Sequence, residues 1–536
     1  MSERSRESKD GRSSANDARP RRQLVIFLHA HLPYCRREDL PASLEETWLF
    51  EALTECYLPL VRMLDRLVAA RVAPGLTLSL SPVLVALMRN GGLLARYRRR
   101  LEQTEALARR DAHRGHQSQR YNAGWHAGFF AEARRTLDDR CGGDLPGTLR
   151  EFHTAGVIEL ATTAATHGFF PAYQNSPDII RAQVGTGIDE FARVFGFRPR
   201  FFWLPECGYF PGVDEILAEC GVEACAVEEH GILQARPPPP EARLPVMCPS
   251  GVKVVGRDTA LSRLVWSAQS GYPGDQNYRE FHRDRVHELS TEEVATWLDG
   301  SRARLPSGLK YWRVTGPGDD KDWYRPVAGS ARAQEHARDF VARAAGNGGT
   351  GMRFVPFDAE LFGHWWFEGI EWLEHVLRLI HDSPAIEAST VSPALAAAGG
   401  VHRAIPAAST WGHRGDNSFW VTHDNAWIYP QILVAARRLA TLVAAAGDQS
   451  PDGPHLRALR QAARTLLLAQ ASDWPFMIST GTVADLATAQ VTRLLADLDW
   501  LLQALEMKRI DEQRLRCLEE RDAVFPEVDL SYFRGR

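Results

Sequence analysis

QLVIFLHAHLPY, residues 23–34, decides the architecture. Leu24 to Leu28 are apolar without a break, and two histidines, His29 and His31, then follow at i, i+2. A near-continuous run of this kind, with little strict alternation, suits a strand buried on both faces. Six further runs of the same character lie downstream: LTLSLSPVL (76–84), VIELATTAATHG (157–168), RFFWLPECGY (200–209), VEACAVEEHG (222–231), VKVVGRD (252–258) and FVPFDAELF (354–362). Helix-compatible segments fall between several of them, such as TWLFEALTECYLPLVRMLDRLVAA (47–70) and IIRAQVGTGIDEFARVFG (179–196). Alternating strand and helix implies a parallel sheet, either doubly wound or closed as a barrel. In both cases the chemistry belongs at the carboxyl ends of the strands, where the His, Glu and Asp residues of these runs lie.

The rest of the chain is organised around that series. Residues 1–22 are charged, lack an apolar leader segment and read as a disordered tail. Residues 23–405 form the α/β unit, with an Arg-rich helical excursion over 86–150. Residues 406–536 form a C-terminal helical domain, because HLRALRQAARTLLLAQASDW (455–474) and VADLATAQVTRLLADLDWLLQALEM (483–507) are amphipathic at helical spacing. Residues 234–250 hold four consecutive prolines and read as a stiff surface loop, and 259–353 as a mixture of loop and short helix. The 536 residues contain 63 Lys+Arg against 67 Asp+Glu, a net charge of −4, which excludes the basic footprint of a nucleic-acid binder. No uninterrupted apolar run approaches the length of a membrane span. Eight cysteines without a CxxC pattern read as reduced thiols, and the expectation is a soluble cytoplasmic protein.

Glu206 and Asp358 stand out as chemistry. Each lies near the end of an apolar run, in WLPE and in VPFD, where a carboxylate costs burial free energy unless something compensates. Two such acids facing each other across a barrel mouth are the minimum apparatus for glycoside chemistry, while a buried acid paired with arginine is the bland alternative. His29 and His31 fall on one face of a strand, and His167 in THGFFP and His364 in DAELFGHWW sit at or beyond other strand ends. These histidines could bind metal, contact sugar hydroxyls or be satisfied barrel residues. No HExxH is present, so no metal is assigned. Of 15 Trp, Trp48, Trp266, Trp411 and Trp420 neighbour turns or strand ends and can stack on sugar rings; Trp365, Trp366, Trp372, Trp474 and Trp500 read as core. Cys207, next to Glu206, has no base placed to activate it and reads as a small pocket-lining residue.

Ten segments in order resemble glycoside hydrolase family 57, most closely its 1,4-α-glucan branching enzymes. They are HAHLPY (29–34), TWLFEAL (47–53), ELATTAATHGFFP (159–171), FWLPECGY (202–209), VWSAQSGYPGDQNYREFHRD (265–284), KYWRVTG (310–316), PFDAELFGHWWFEG (356–369), STWG (409–412), NAWIY (425–429) and LLLAQASDWPF (466–476). The resemblance implies an incomplete (β/α)7 barrel with a helical insertion and a C-terminal helical domain. It implies Glu206 as nucleophile, Asp358 as general acid/base, His31 and His167 as residues holding the sugar, and Trp266, Trp411, Trp420 and Trp48 along the glucan groove. His29, Cys207 and His364 are further substrate-contact candidates. No cofactor and no metal is implied. The substrate would be an α-1,4-glucan serving as donor and acceptor, with a retaining route that ends in an α-1,6 branch. Branching members carry a closing loop with a Tyr near its tip; here the matching stretch HGILQARPPPPEARLPVM (230–247) has no Tyr and four prolines. An α-glucan hydrolase or 4-α-glucanotransferase on the same scaffold is the alternative. A metal-dependent deacetylase and a non-catalytic glucan-binding protein are the readings from other classes.

Overall fold

The computed structural model describes residues 21–535 apart from 35, 38, 242–243, 268, 317, 319, 347–350, 399–400 and 447–452. Most of the expected tail thus lies outside the described residues, but Arg22 does not belong to it. It opens the first strand, and its guanidinium donates to the carbonyls of Ala344 (3.1 Å) and Gly346 (2.8 Å) at the end of the helix Pro326–Ala345. A cation suits that place because the last carbonyls of a helix have no partner within it.

Among the described residues ten strands form one sheet: β1 Arg22–Ala30, β2 Leu76–Leu80, β3 Ile158–Thr163, β4 Phe201–Trp203, β5 Ala224–Val227, β6 Val246–Met247, β7 Lys253–Gly256, β8 Met352–Asp358, β9 Ile386–Ala388 and β10 His402–Arg403. Seven of them, in the order β8-β1-β2-β3-β4-β5-β7, are parallel neighbours, and each overlaps one of the seven apolar runs. β6 is antiparallel to β7 and parallel to β10, so the prolyl stretch 234–250 is partly woven into the sheet. The seam between β7 and β8 is bridged by one backbone bond, Asp258 N–H to Phe354 O (2.7 Å), and by an Arg353–Asp258 ion pair (3.1 Å). This is the incomplete seven-stranded barrel.

Residue alternation sorts the two cores. Leu24, Ile26 and Leu28 of β1 join the large core shared with the outer helices, whereas Val25 and Phe27 join a smaller core inside the barrel. The inner core is aromatic: Phe27 lies 5.2 Å from both Phe201 and Trp203 and 5.5 Å from Phe354, ring centroid to centroid. Val391, Ala394 and Leu395, on the short helix Val391–Ala397, close its lower end. Going up the strands, the inner rows end in chemistry: Val25–Phe27–His29 on β1, and Phe354–Pro356–Asp358 on β8.

The excursion over 86–150 contains the helices Gly91–Asp111, Gln117–Arg135 and Leu145–Thr154. The predicted helix 47–70 is real but interrupted by a π-helical stretch, Ala52–Tyr57. Pro59 has no N–H to give the Glu55 carbonyl, which fits the widened turn there. The 20-residue helix Pro326–Ala345 was not expected; its buried stripe is Gly329, Ala333, Ala337, Phe340 and Ala344, too small-sided to register as apolar periodicity. The C-terminal helices Ile428–Ala446, Pro454–Ala469 and Ala484–Glu506 pack together and share the large core with the barrel's outer face. Ile428–Ala446 is, among the described residues, the one helix long and apolar enough by composition to cross a membrane.

Candidate active site

Glu206 follows β4 in a conformation that side chains rarely adopt: its φ is +59°, and that of Cys207 is +50°. Such a left-handed residue costs about 1–3 kcal/mol unless its surroundings fix it. Here a short ladder does so. Tyr209 N–H donates to Ser409 O (2.9 Å), Ser409 N–H returns to Tyr209 O (3.0 Å), and Trp411 N–H donates to Glu206 O (3.1 Å). The same segment supplies a donor to the side chain, because the Trp411 indole N–H reaches Glu206 Oε2 at 2.8 Å. Ser472, from the C-terminal helices, donates its hydroxyl to Glu206 Oε1 at 2.9 Å.

Three histidines stand beside this carboxylate. His31 and His167 rings are 4.2 Å apart and His29 and His167 rings 4.9 Å. His167 Nδ1 lies 2.8 Å from Ser472 Oγ and its Nε2 3.0 Å from His29 Nε2. With Glu206 ionised, the Ser472 proton points to the carboxylate, so His167 must donate from Nδ1 and accept from His29 at Nε2. Burial holds both His29 and His167 well below the ordinary imidazole value, with the charge on His31 adding to it, and they are neutral as this chain requires. His31 is the opposite case. Burial works against its charged form, but the Asp473 carboxylate 3.0 Å from Nε2 outweighs it and raises the pKa.

Asp358 ends β8, in register with His29 on β1. Burial, then the neighbouring charges of Glu360 and Glu206, push its carboxyl well above the usual range, against the pull of Arg257. It therefore keeps a proton where ordinary carboxyls have lost theirs. Glu206 is also raised by burial, but its hydrogen bond from Trp411 and that from Ser472 oppose the shift. One acid held protonated and one given donors to its charged form are the makings of an acid/nucleophile pair. Glu360 accepts from the Tyr57 hydroxyl and from His31 N–H (3.2 Å), which pins the turn after Asp358 to β1.

Both carboxyl groups line one cleft of ≈ 790 Å³. On one wall Trp266, 38% exposed, meets Trp411 edge-to-face at 5.8 Å, with the Arg257 guanidinium 5.9 and 5.7 Å from their ring centroids. Trp420 stacks on Phe169 (4.6 Å) and contributes to the floor. His29, His31, His167, Trp266, Trp411 and Trp420 all line this cleft with Glu206 and Asp358.

Three predicted residues stand elsewhere. Cys207 is fully buried in the inner core, and Trp48 is half-buried on the helix Leu44–Glu51, outside the cleft lining. His364 is turned toward Glu55, with Nδ1 2.8 Å from Oε2, and Glu55 is also paired with Arg279 (2.7 Å). Glu51, Glu55 and His364 are close enough together to surround a cation, but the Arg279 guanidinium already compensates Glu55. Conversely Trp365, read as core, is 55% exposed and lines the cleft. Sequence reasoning also missed Ser472, Asp473, Glu360 and Arg257. A signal existed for Arg257, a charge at the end of VKVVGRD, and for Ser472–Asp473, a polar pair ending an apolar helix.

Comparison with known proteins agrees with this fold. The profile of glycosyl hydrolase family 57 matches residues 25–318, more than half of the chain, and that of the 1,4-alpha-glucan branching enzyme C-terminal region matches residues 431–533. A 1,4-alpha-glucan branching enzyme of Thermococcus kodakarensis is 31% identical over 94% of this chain and 77% of its own length. Among solved structures, the novel alpha-amylase AmyC from Thermotoga maritima superimposes with a TM-score of 0.89 at 33% identity, covering 96% of this chain and all (100%) of that one. The GH57-type branching enzyme from Pyrococcus horikoshii gives 0.85 at 30% identity, covering 96% of this chain and 97% of that one. The half-closed barrel and the C-terminal helices are therefore those of a shared scaffold, and the chain belongs to glycosyl hydrolase family 57.

Proposed function

We propose that the chain is a 1,4-α-glucan branching enzyme that works by a retaining, two-step displacement. The observation that carries this reading is the pairing in one cleft of a proton-holding Asp358 with a Glu206 whose two carboxylate oxygens accept from Trp411 and Ser472. In the first step a Glu206 oxygen bonds to the anomeric carbon of an α-1,4-linked glucosyl unit while Asp358 protonates the departing oxygen. In the second step Asp358 takes the proton of an incoming C6 hydroxyl, the new C–O bond forms, and Glu206 is released. The branching relatives and the match of the C-terminal region to that of branching enzymes support transfer to glucan over transfer to water.

Hydrolysis is the second reading, favoured by two observations: the similarity to the alpha-amylase from Thermotoga maritima, and the stretch 230–247, which lacks the Tyr of branching members and is tied into the sheet through β6. Amylose incubated with the protein decides between them. Branching predicts α-1,6 anomeric signals by proton NMR; reducing ends without those signals would assign the protein to hydrolysis. Glu206→Gln should lower turnover by at least about 10³-fold by removing the nucleophile, and activity surviving in that variant would refute the role given to Glu206.

A further inference from the structure

The two tryptophans of DAELFGHWWFEG part company. Trp366 is 2% exposed in the core, and Trp365, one residue earlier, is 55% exposed. The turn that leads to them is tied down by backbone hydrogen bonds. Asp358 ends β8, Ala359–Leu361 make a single 3-10 turn, and Gly363 follows at φ +97°, packed where a Cβ would run into the Glu55 carbonyl. Trp365 N–H donates to Glu360 O (3.2 Å), Trp366 N–H to Leu361 O (2.9 Å), and Gly363 N–H to Trp366 O (2.8 Å). The Trp365 indole is thus held at a fixed place relative to Asp358. It stacks on Phe281 with centroids 4.3 Å apart and planes 24° apart, and Phe281 is steadied by the Lys310 ammonium 4.2 Å from its ring centroid. An exposed indole stacked on a second ring in the lining of the cleft offers a flat apolar face to whatever occupies the cleft. Trp411 borders Glu206; Trp365 and Phe281 belong to the part of the cleft continuous with the turn after Asp358.

We propose that Trp365 and Phe281 form a shelf for the acceptor glucan, on which a pyranose ring stacks by its C–H face while its chain presents a hydroxyl to Asp358. The inference rests on the transferase reading of the same cleft. An indole and a phenyl ring in stacking contact offer a flat apolar area that a sugar can cover and water cannot use. Holding the acceptor there raises its effective concentration against water at the moment when Asp358 acts as base.

The test uses α-maltosyl fluoride as donor and maltoheptaose as acceptor. Fluoride leaves without occupying the acceptor side: the C1–F bond breaks as a Glu206 oxygen bonds to C1, and the departing fluoride takes the Asp358 proton. The acceptor hydroxyl or water then bonds to C1 as the Glu206–C1 bond breaks, its proton passing to the Asp358 carboxylate. Trp365→Ala should lower the ratio of transferred to hydrolysed maltosyl units, and raise the half-saturating maltoheptaose concentration, about tenfold, the loss expected of one stacking contact. Trp365→Phe should recover most of both. An unchanged ratio with unchanged half-saturation overturns the proposal. So does a fall in fluoride release that matches the fall in transfer, because it puts Trp365 in donor binding. The linkage formed by the unaltered protein in the same samples judges the branching reading separately: an α-1,4 product alone counts against branching, while the ratio still judges the shelf.

Discussion

At the scale of single residues, Ser472 is the joint of the site. Its hydroxyl serves Glu206 Oε1 while its oxygen receives His167 Nδ1, and its backbone N–H donates to His167 O at 3.0 Å. A hydrogen bond to a charged group contributes about 1.5–3 kcal/mol, so Ser472→Ala should lower kcat/KM by roughly 10–100-fold. The pH profile distinguishes this from a merely structural loss. The reaction needs Glu206 ionised and Asp358 protonated, so kcat/KM is bell-shaped, with its acid limb set by Glu206 and its basic limb by Asp358. Burial raises both groups, placing the acid limb above the ordinary glutamate range and the basic limb higher still. Removing the Ser472 donor takes support from the ionised form of Glu206 alone, so in the variant the acid limb must move to higher pH while the basic limb stays. A profile that only scales down would refute the assignment. Glu206 and Asp358 were legible in the sequence because each is an unexplained acid ending an apolar run. Ser472 and Asp473 offered only a polar pair ending an apolar helix, and the role of that pair comes from a docking between residues 266 positions apart, as in the Ser472–Glu206 bond.

At the scale of elements, the seven strands were readable because burial on both faces leaves near-continuous apolar runs, and a catalytic side chain at the top of an inner row follows from alternation. The turn from Asp358 to Trp365 was not readable. WW looks like core on composition, and only the left-handed Gly363 against the π-helical Ala52–Tyr57 turns the first indole outward. That placement makes Gly363 a sharp test. In Gly363→Ala the new Cβ has neither a permitted φ nor room beside the Glu55 carbonyl, so the variant should lose at least about 2 kcal/mol in urea unfolding. Gly128, in the middle of the helix Gln117–Arg135 with nothing near its missing Cβ, is the control: Gly128→Ala should gain about 0.5–1 kcal/mol. Equal effects at the two positions would mean that the turn is free to rearrange and does not fix the shelf.

At the scale of the molecule, residues 406–536 complete the chemistry instead of decorating it. Trp411 and Ser472 supply both donors to Glu206, and Asp473 supplies the charge on His31. The packing has the same character. Tyr532 lies where a Cβ on Gly185 would touch it, Thr166 donates to Leu467 O, and one hydrophobic core runs from the barrel's outer helices into Leu467, Leu498 and Leu502. The boundary expected at 405/406 rests on a change in the sequence from alternating runs to amphipathic helices, and a change of pattern says nothing of how much apolar surface the two parts bury against each other. A shared core predicts shared unfolding. Leu467→Ala, at a fully buried position beneath the Ser472 turn, should cost about 2–5 kcal/mol, and the calorimetric trace should move down as one transition with equal calorimetric and van't Hoff enthalpies. A trace that splits, with the helical part melting first and the barrel holding its midpoint, would mean that the two parts fold independently and that the site is assembled only when they dock.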